Sequence, residues 1–311
     1  MQTKSIPTTI VGIPIDGSGA FTGAERMPAA LRSAGLVNCL NIKDFGDLPV
    51  KIDNPKRDKL TGIIGFKQVC EVSDTICIEI AKLLRQGERP LVIGGCCTLL
   101  IGVIAALRQE YNKIGLAFID GHLDFYDGKS SPTGETADME LAILTGVGPS
   151  GLIDLSGEPP LIQPQDIVVM GFRDAEQTIA DGAPNPAKLF PEMKLFDVES
   201  IKKLGGETLG NDVKKRFEGK SQKFWLHLDL DVLDENIMPA VDFRLPNGLN
   251  WDEVAQLIRP LIHSPALIGI DVTIFNPVLD TADGYYAKQI VEFLAEILQT
   301  NDAHRDRGAH Y

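Results

Sequence analysis

Two short segments concentrate side chains able to hold cations. One reads Phe118-Ile119-Asp120-Gly121-His122-Leu123-Asp124, the other Trp225-Leu226-His227-Leu228-Asp229-Leu230-Asp231. Alternate residues of an extended chain share a face, so Asp120, His122 and Asp124 read as one cluster and His227, Asp229 and Asp231 as another. They interrupt apolar runs at positions where a sheet covered on both sides favours Val or Ile. Leaving several carboxylates unpaired in a core costs several kcal/mol each, on the order given for buried ions. A lone Asp at a strand end is more simply a helix cap or an arginine partner, but two alternating triplets favour a divalent cation. Four Asp with one or two His suffice for two ions sharing carboxylates. Two ions roughly 3.5–4 Å apart generate and orient a hydroxide.

A third segment, Gly94-Gly95-Cys96-Cys97-Thr98, stands immediately before a helical pattern. Paired glycines allow close backbone approach. A functional cysteine here is a thiolate ligand or a nucleophile; otherwise it is a small buried residue in a tight turn. The glycine-rich loop 17–23 opens a helix after the first strand, but it is one residue too long for the dinucleotide fingerprint. No phosphate-binding loop and no Gly-x-Ser-x-Gly elbow occur.

The positioning elements follow from apolar patterning. Residues 8–15, 90–93, 114–119, 166–170, 224–230 and 266–272 read as strands. Residues 66–85, 99–109, 201–217, 251–261 and 284–298 read as helices. Alternation of the two predicts βαβ units, a parallel sheet covered on both faces, and a single domain spanning residues 1–311. The proline-rich stretch 175–191 reads as a surface excursion. In such sheets ligands gather beyond the carboxyl ends of the strands, where all three chemical segments fall.

The 311 residues are 44% hydrophobic and 23% charged, a balance that excludes disordered and collagen-like chains. Lys and Arg total 30 against 43 Asp and Glu, a net charge of −13. That balance argues against nucleic acid and anionic membranes as partners, since both demand clustered positive charge. No run approaches the roughly 20 apolar residues that span a bilayer. Five irregularly spaced cysteines do not suggest a disulfide framework. Cys70 and Cys77 fall on the apolar stripe of one helix as core thiols. A reduced, cytoplasmic protein acting on a small molecule is expected.

Together the motifs resemble the ureohydrolase (arginase/agmatinase) superfamily, over nearly the whole chain. Asp120-Gly-His122-Leu-Asp124 is similar to that family's Asp-Ala-His-x-Asp, and Asp229-Leu-Asp231 to its Asp-x-Asp. Gly12-Ile13-Pro14 followed by the segment 23–32 resembles its N-terminal loop and first helix. Gly171-Phe172-Arg173-Asp174 and the segment 271–277 resemble two more. The resemblance implies a three-layer α/β/α arginase-like fold with a parallel, mostly eight-stranded sheet, assembled as a trimer or hexamer. It implies a divalent metal cofactor, Mn²⁺ first, with Zn²⁺ or Ni²⁺ as alternatives. One ion would be held by His122, Asp120, Asp229 and Asp231, the other by Asp120, Asp124, Asp229 and Cys97. The implied reaction is hydrolysis of a linear C–N bond in an arginine-like guanidine or amidine by a metal-bridging hydroxide, with Asp124 handling protons there.

The chain departs from the family pattern at three places. Cys97 stands where the family has a His ligand, and a soft thiolate suits Mn²⁺ less well than imidazole does. The family's proton-shuttling His is absent, its position falling near Ala137, which leaves His227 as the other histidine of a strand-end motif: a catalytic candidate, though a hydrogen-bonding residue behind the metal ligands is the favoured reading. Ile274 stands where the family has a guanidinium-binding Glu, which argues against plain arginine or agmatine. Thr133 and Glu135 on the loop after Asp124, with Glu176 and Ile274, are the candidate substrate-binding residues. A relative that has lost catalysis and serves as a binding subunit is the alternative reading.

Overall fold

The computed structural model describes residues 8–17, 22–220 and 222–298. Eight parallel strands form one sheet in the order β2-β1-β3-β8-β7-β4-β5-β6. They are β1 Thr8–Ile13, β2 Lys43–Asp47, β3 Arg89–Gly94, β4 Ile114–Ile119, β5 Ile167–Met170, β6 Lys194–Phe196, β7 Lys223–Asp229 and β8 Leu267–Thr273. The expected apolar runs supply six of these. The two they omit, β2 and β6, are the sheet edges. An edge strand has only one neighbour and keeps exposed polar residues, as Lys43, Asp44 and Asp47 are here, so hydrophobicity does not betray it.

Every residue of β4, β5 and β8 is buried, which requires cover on both faces. Helices α1 Met27–Ser33, α2 Leu36–Leu40, α3 Phe66–Arg85 and α4 Leu99–Glu110 occupy the first half of the chain. The short helices α5 Glu140–Leu144, α6 Ala175–Ala180 and α7 Pro186–Leu189 follow, so the 175–191 excursion is partly helical. Then come α8 Val198–Leu204, α9 Gly206–Gly219, α10 Trp251–Ile262 and α11 Tyr285–Leu298. Helix α3 packs on α4, while α10 packs on α9 and α11, and α11 on α1 and α2. These groups sandwich the sheet as a three-layer α/β/α fold.

The helix expected over 201–217 is two helices, because Gly205 (φ 84°) turns the chain between them. Gly210 then lets α9 lie against α10: a Cβ there would sit 2.2 Å from the Leu257 carbonyl oxygen. Asn250 and Glu253 form a reciprocal cap at the start of α10.

The connections decide where a site can form. From β1 to β3 the chain fills one side of the sheet; after α4 it jumps across and fills the other side through β4, β5 and β6. Strands β7 and β8 later close the gap. The carboxyl ends of β3, β8, β7 and β4 therefore lie side by side at a reversal of strand order, where parallel sheets open a crevice.

Candidate metal centre

Each cluster is placed by the chain just past a strand end. Strand β4 stops at Ile119, and the Asp120 N–H donates to the Met170 carbonyl at 3.1 Å. Beyond Asp120 the extended form ends, and Asp124 takes a left-handed backbone (φ 46°). Period-two alternation therefore does not aim Asp124 at the site; the turn does. On β7, His227 and Asp229 are still in the strand, whereas Asp231 lies in a short helical turn whose backbone N–H donates to Asp229 Oδ1 at 2.9 Å. Because β4 pairs with β7, both triplets meet over one crevice.

The structure brings the six expected metal-binding residues together. Ligand atoms of Cys97, Asp120, Asp124 and Glu140 lie within 4.8 Å of one another, as do those of Asp120, His122 and Asp231, and those of Asp120, His227 and Asp229. Asp120 belongs to all three groups. His122 Nδ1 lies 2.9 Å from Asp231 Oδ2 and 3.8 Å from Asp120 Oδ1. Asp229 Oδ2 accepts from the Cys97 thiol at 3.0 Å and from the Thr273 hydroxyl at 2.9 Å.

The electrostatics are those of crowded acids in a dry place. Burial, followed by neighbouring carboxylates, pushes Asp124 and Asp229 well above the usual carboxylate range. Burial and the charge of Asp231 raise Asp120, while His227 opposes the shift. Glu140 is pushed up to about 8, mainly by burial. Burial and then Asp229 hold the Cys97 thiol well above its ordinary value. Asp231 alone goes down: burial works against its ionised form, but His122, Arg173 and the Gly121 N–H outweigh it. His122 in turn is raised to about 10, burial being overcome by Asp231.

These residues fit a divalent cation. Asp120 Oδ2, both oxygens of Glu140 and His227 Nε2 are buried without a hydrogen-bond partner, and such atoms normally have one. Oxygen, imidazole and sulfur donors converging on a small volume are what a pair of first-row ions requires.

Above the cage opens a cavity of about 460 Å³, lined by Cys97, His122, Asp124 and Asp231 at its base. Thr133, Glu135, Ala137, Glu176 and Ile274 also line it. Thr133 is turned to its own loop, its hydroxyl donating to Asp138 Oδ2 at 2.7 Å. Glu176 is exposed on the first turn of α6. Ile274 is a β-branched residue at φ 73°, a region such side chains rarely occupy. Of the glycine loop, Gly17 reaches the cavity, while residues 18–21 lie outside the described residues.

His227 stands as a hydrogen-bonding residue rather than a catalytic one. His227 is wholly buried and not on the cavity wall. Its Nδ1 meets Asp271 Oδ2 at 2.5 Å, its Nε2 faces Asp120 Oδ2 at 3.6 Å, and the Trp225 indole N–H donates to Asp271. It stands behind the cage, out of a substrate's reach, because it lies two residues before Asp229 on β7, deeper in the sheet and stacked on Phe118 of β4. Sequence reasoning missed Asp271 in this role, although an Asp inside Leu267–Thr273 carries the same buried-polar signal that exposed Asp120. It missed Glu140 too, which at the head of an apolar helix looks like an ordinary first-turn acid.

A donor set of this kind at the switch point of a parallel α/β/α sheet is the mark of the metal-dependent hydrolases. Known proteins narrow the class. A family model described as "Arginase family" matches residues 7–299, and the chain belongs to that family. It is 28% identical over 305 residues to an arginase of Staphylococcus aureus, covering 94% of this chain and 97% of that one. The solved structure of the arginase from Bacillus caldovelox shares the fold at TM-score 0.81 and 24% identity, over 96% of this chain and 100% of that one. Formimidoylglutamase from Bacillus subtilis shares it at TM-score 0.71 and 17% identity, over 96% and 88%. The chain is a metal-dependent hydrolase of ureohydrolase type. Among the described residues no helix is long and apolar enough to cross a membrane.

Proposed function

We propose that this protein hydrolyses a C–N bond of an arginine-like guanidine or amidine, with two divalent ions, Mn²⁺ foremost, held by Cys97, Asp120, His122, Asp124, Asp229 and Asp231. The observation that carries the reading is that four of these six residues, Cys97, His122, Asp124 and Asp231, line a cavity of about 460 Å³, which would set bound ions beside a small substrate. The convergence of all six donors gives the non-catalytic alternative no support.

When bound, such ions neutralise the carboxylates and make water a nucleophile at neutral pH. The remaining work falls to the chain's own groups. Asp124, at the cavity wall and within the donor cluster, would take the proton of the attacking water and return it to the leaving nitrogen. His227 is a positioning residue: clamped by Asp271, it backs Asp120, whose Oδ2 its Nε2 faces at 3.6 Å. Asp174 accepts the Leu123 N–H at 3.0 Å and steadies the turn that presents Asp124.

Glu135 and Glu176 face the cavity from its walls, joined by Asp16, Asp138, Asp174 and Asp242. Arg173, the arginine among the lining residues, spends its guanidinium on the carbonyls of Asp231, Leu233 and Leu245. A wall so acidic suits a substrate that carries positive charge, amino-acid-like at one end. Ile274 withholds a carboxylate from the reacting end and leaves an apolar contact there.

The test is metal quantification followed by a screen of guanidines, amidines and ureides for released urea or ammonia. Turnover of at least one cationic guanidine or amidine is expected; full metal occupancy with no release from any of them would defeat the proposal. Cys97→His is expected to tighten the weaker metal site, since imidazole suits these ions better than a thiol that keeps its proton. Titration with Mn²⁺ reads this, and equal or poorer occupancy removes Cys97 from the ligand set. Ile274→Glu replaces a β-branched residue at positive φ and adds a charged acceptor. Such a hydrogen bond is worth about 1.5–3 kcal/mol, so KM for cationic guanidines should fall roughly 10–100-fold. An unchanged KM would mean that position 274 does not meet the cation.

A further inference from the structure

We infer that Glu140 is an additional metal ligand, completing the site of Cys97, Asp120 and Asp124 and setting its preference for a hard ion; the inference rests on the metallohydrolase reading above. Glu140 is wholly buried at the head of α5. Neither of its oxygens accepts a hydrogen bond. One of them lies within 4.8 Å of ligand atoms on Cys97, Asp120 and Asp124, and these four residues are the one such group of four among the described residues. The positive group that acts on it, His227, is engaged by Asp271 and faces Asp120. A carboxylate that is buried, unpartnered and aimed at other donors has a cation as its natural complement.

The donor chemistry gives Glu140 a purpose. Cys97 is the soft member of its group, and its thiol donates to Asp229 Oδ2. A thiol that keeps its proton is a poor ligand, and a thiolate favours Zn²⁺ over Mn²⁺. A carboxylate from α5 would supply an oxygen donor beside those of Asp120 and Asp124 without any change at position 97. The rival arrangement is a proton shared between the adjacent carboxyl groups of Asp124 and Glu140, with no ion touching the latter.

The deciding experiment uses the full chain, stripped by chelator and reloaded with Mn²⁺ or with Zn²⁺. Wild type, Glu140→Gln and Glu140→Asp are compared by calorimetric titration and by metal analysis after gel filtration. Wild type is expected to take up two Mn²⁺. Glu140→Gln should keep one with unchanged affinity and bind the other at least tenfold more weakly, with Zn²⁺ affected less and Glu140→Asp intermediate. Equal Mn²⁺ affinities in wild type and Glu140→Gln overturn the assignment and leave the metallohydrolase reading standing. A wild type that binds no divalent ion overturns both. Should the variants fail to fold, anomalous diffraction from Mn²⁺-loaded wild-type crystals decides alone. A Glu140 oxygen at coordination distance, about 2.0–2.6 Å, is expected; an ion bound by Asp120 and Asp124 with Glu140 out of reach overturns the inference.

Discussion

Asp120→Ala is expected to abolish hydrolysis and metal binding together. Asp120 is the residue common to the three donor groups, so its loss deprives both ions at once. No neighbour replaces it: His122 and His227 both face it, and without it they leave two imidazoles and an uncompensated gap. The loss of activity should far exceed the roughly 10–100-fold cost of removing a hydrogen-bond partner of a metal ligand. Asp231→Ala, which removes a donor from one group only, should retain one of the two ions. Metal analysis beside an assay for urea or ammonia distinguishes the two variants. Should Asp120→Ala purify with two ions and turn over substrate, the shared-carboxylate arrangement is wrong.

The second large effect is on the stability of metal-free protein. Its thermal midpoint should fall as pH rises, with the fall concentrated between Glu140's ordinary value of 4.5 and its folded value of about 8. In that window the folded chain keeps a proton that the unfolded chain gives up, so raising the pH favours unfolding. Asp120, Asp124 and Asp229 shift in the same direction. His122, raised from 6.5 to about 10, adds stability that is complete below 6.5 and lost as pH climbs through 10. The depressed Asp231 matters only in acid, where its stabilisation disappears as pH falls through its folded value. With each pH unit between Glu140's two values worth about 1.4 kcal/mol and a kcal/mol moving the midpoint by about 2–4 °C, a fall of about 10–20 °C is expected. Added Mn²⁺ should remove most of the slope, because an ion replaces the protons. Calorimetry of chelated and reloaded protein across the range checks it; a midpoint that climbs with pH, or a slope indifferent to the metal, would contradict the electrostatics described.

The legible parts of this protein are those where a residue type contradicts its surroundings. An Asp or His in an apolar run is conspicuous, and so Asp120, His122, His227 and Asp229 can be read directly. The central strands are legible because burial on both faces demands continuous apolar residues. Edges escape: β2 and β6 pair on one side only and carry Lys and Asp, which resemble loop. Glu140 escapes because its residue type is ordinary for a helix start and only its depth is unusual.

From the amino-acid sequence alone came the parallel α/β architecture, the family, and the two strand-end motifs, since each is a local pattern of residue types that repeats or alternates along the chain. The tertiary structure decided what those residues face. It seated His227 behind the cage against Asp271, and carried Glu140 to within 4.8 Å of ligand atoms on Cys97 and Asp124. It also turned Asp124 inward through a left-handed residue and surrounded the cavity with acids from distant segments. The reason is physical: residue type governs what a side chain prefers, but burial and neighbours far apart in sequence set its charge state and its partners, and only the folded chain brings them within reach.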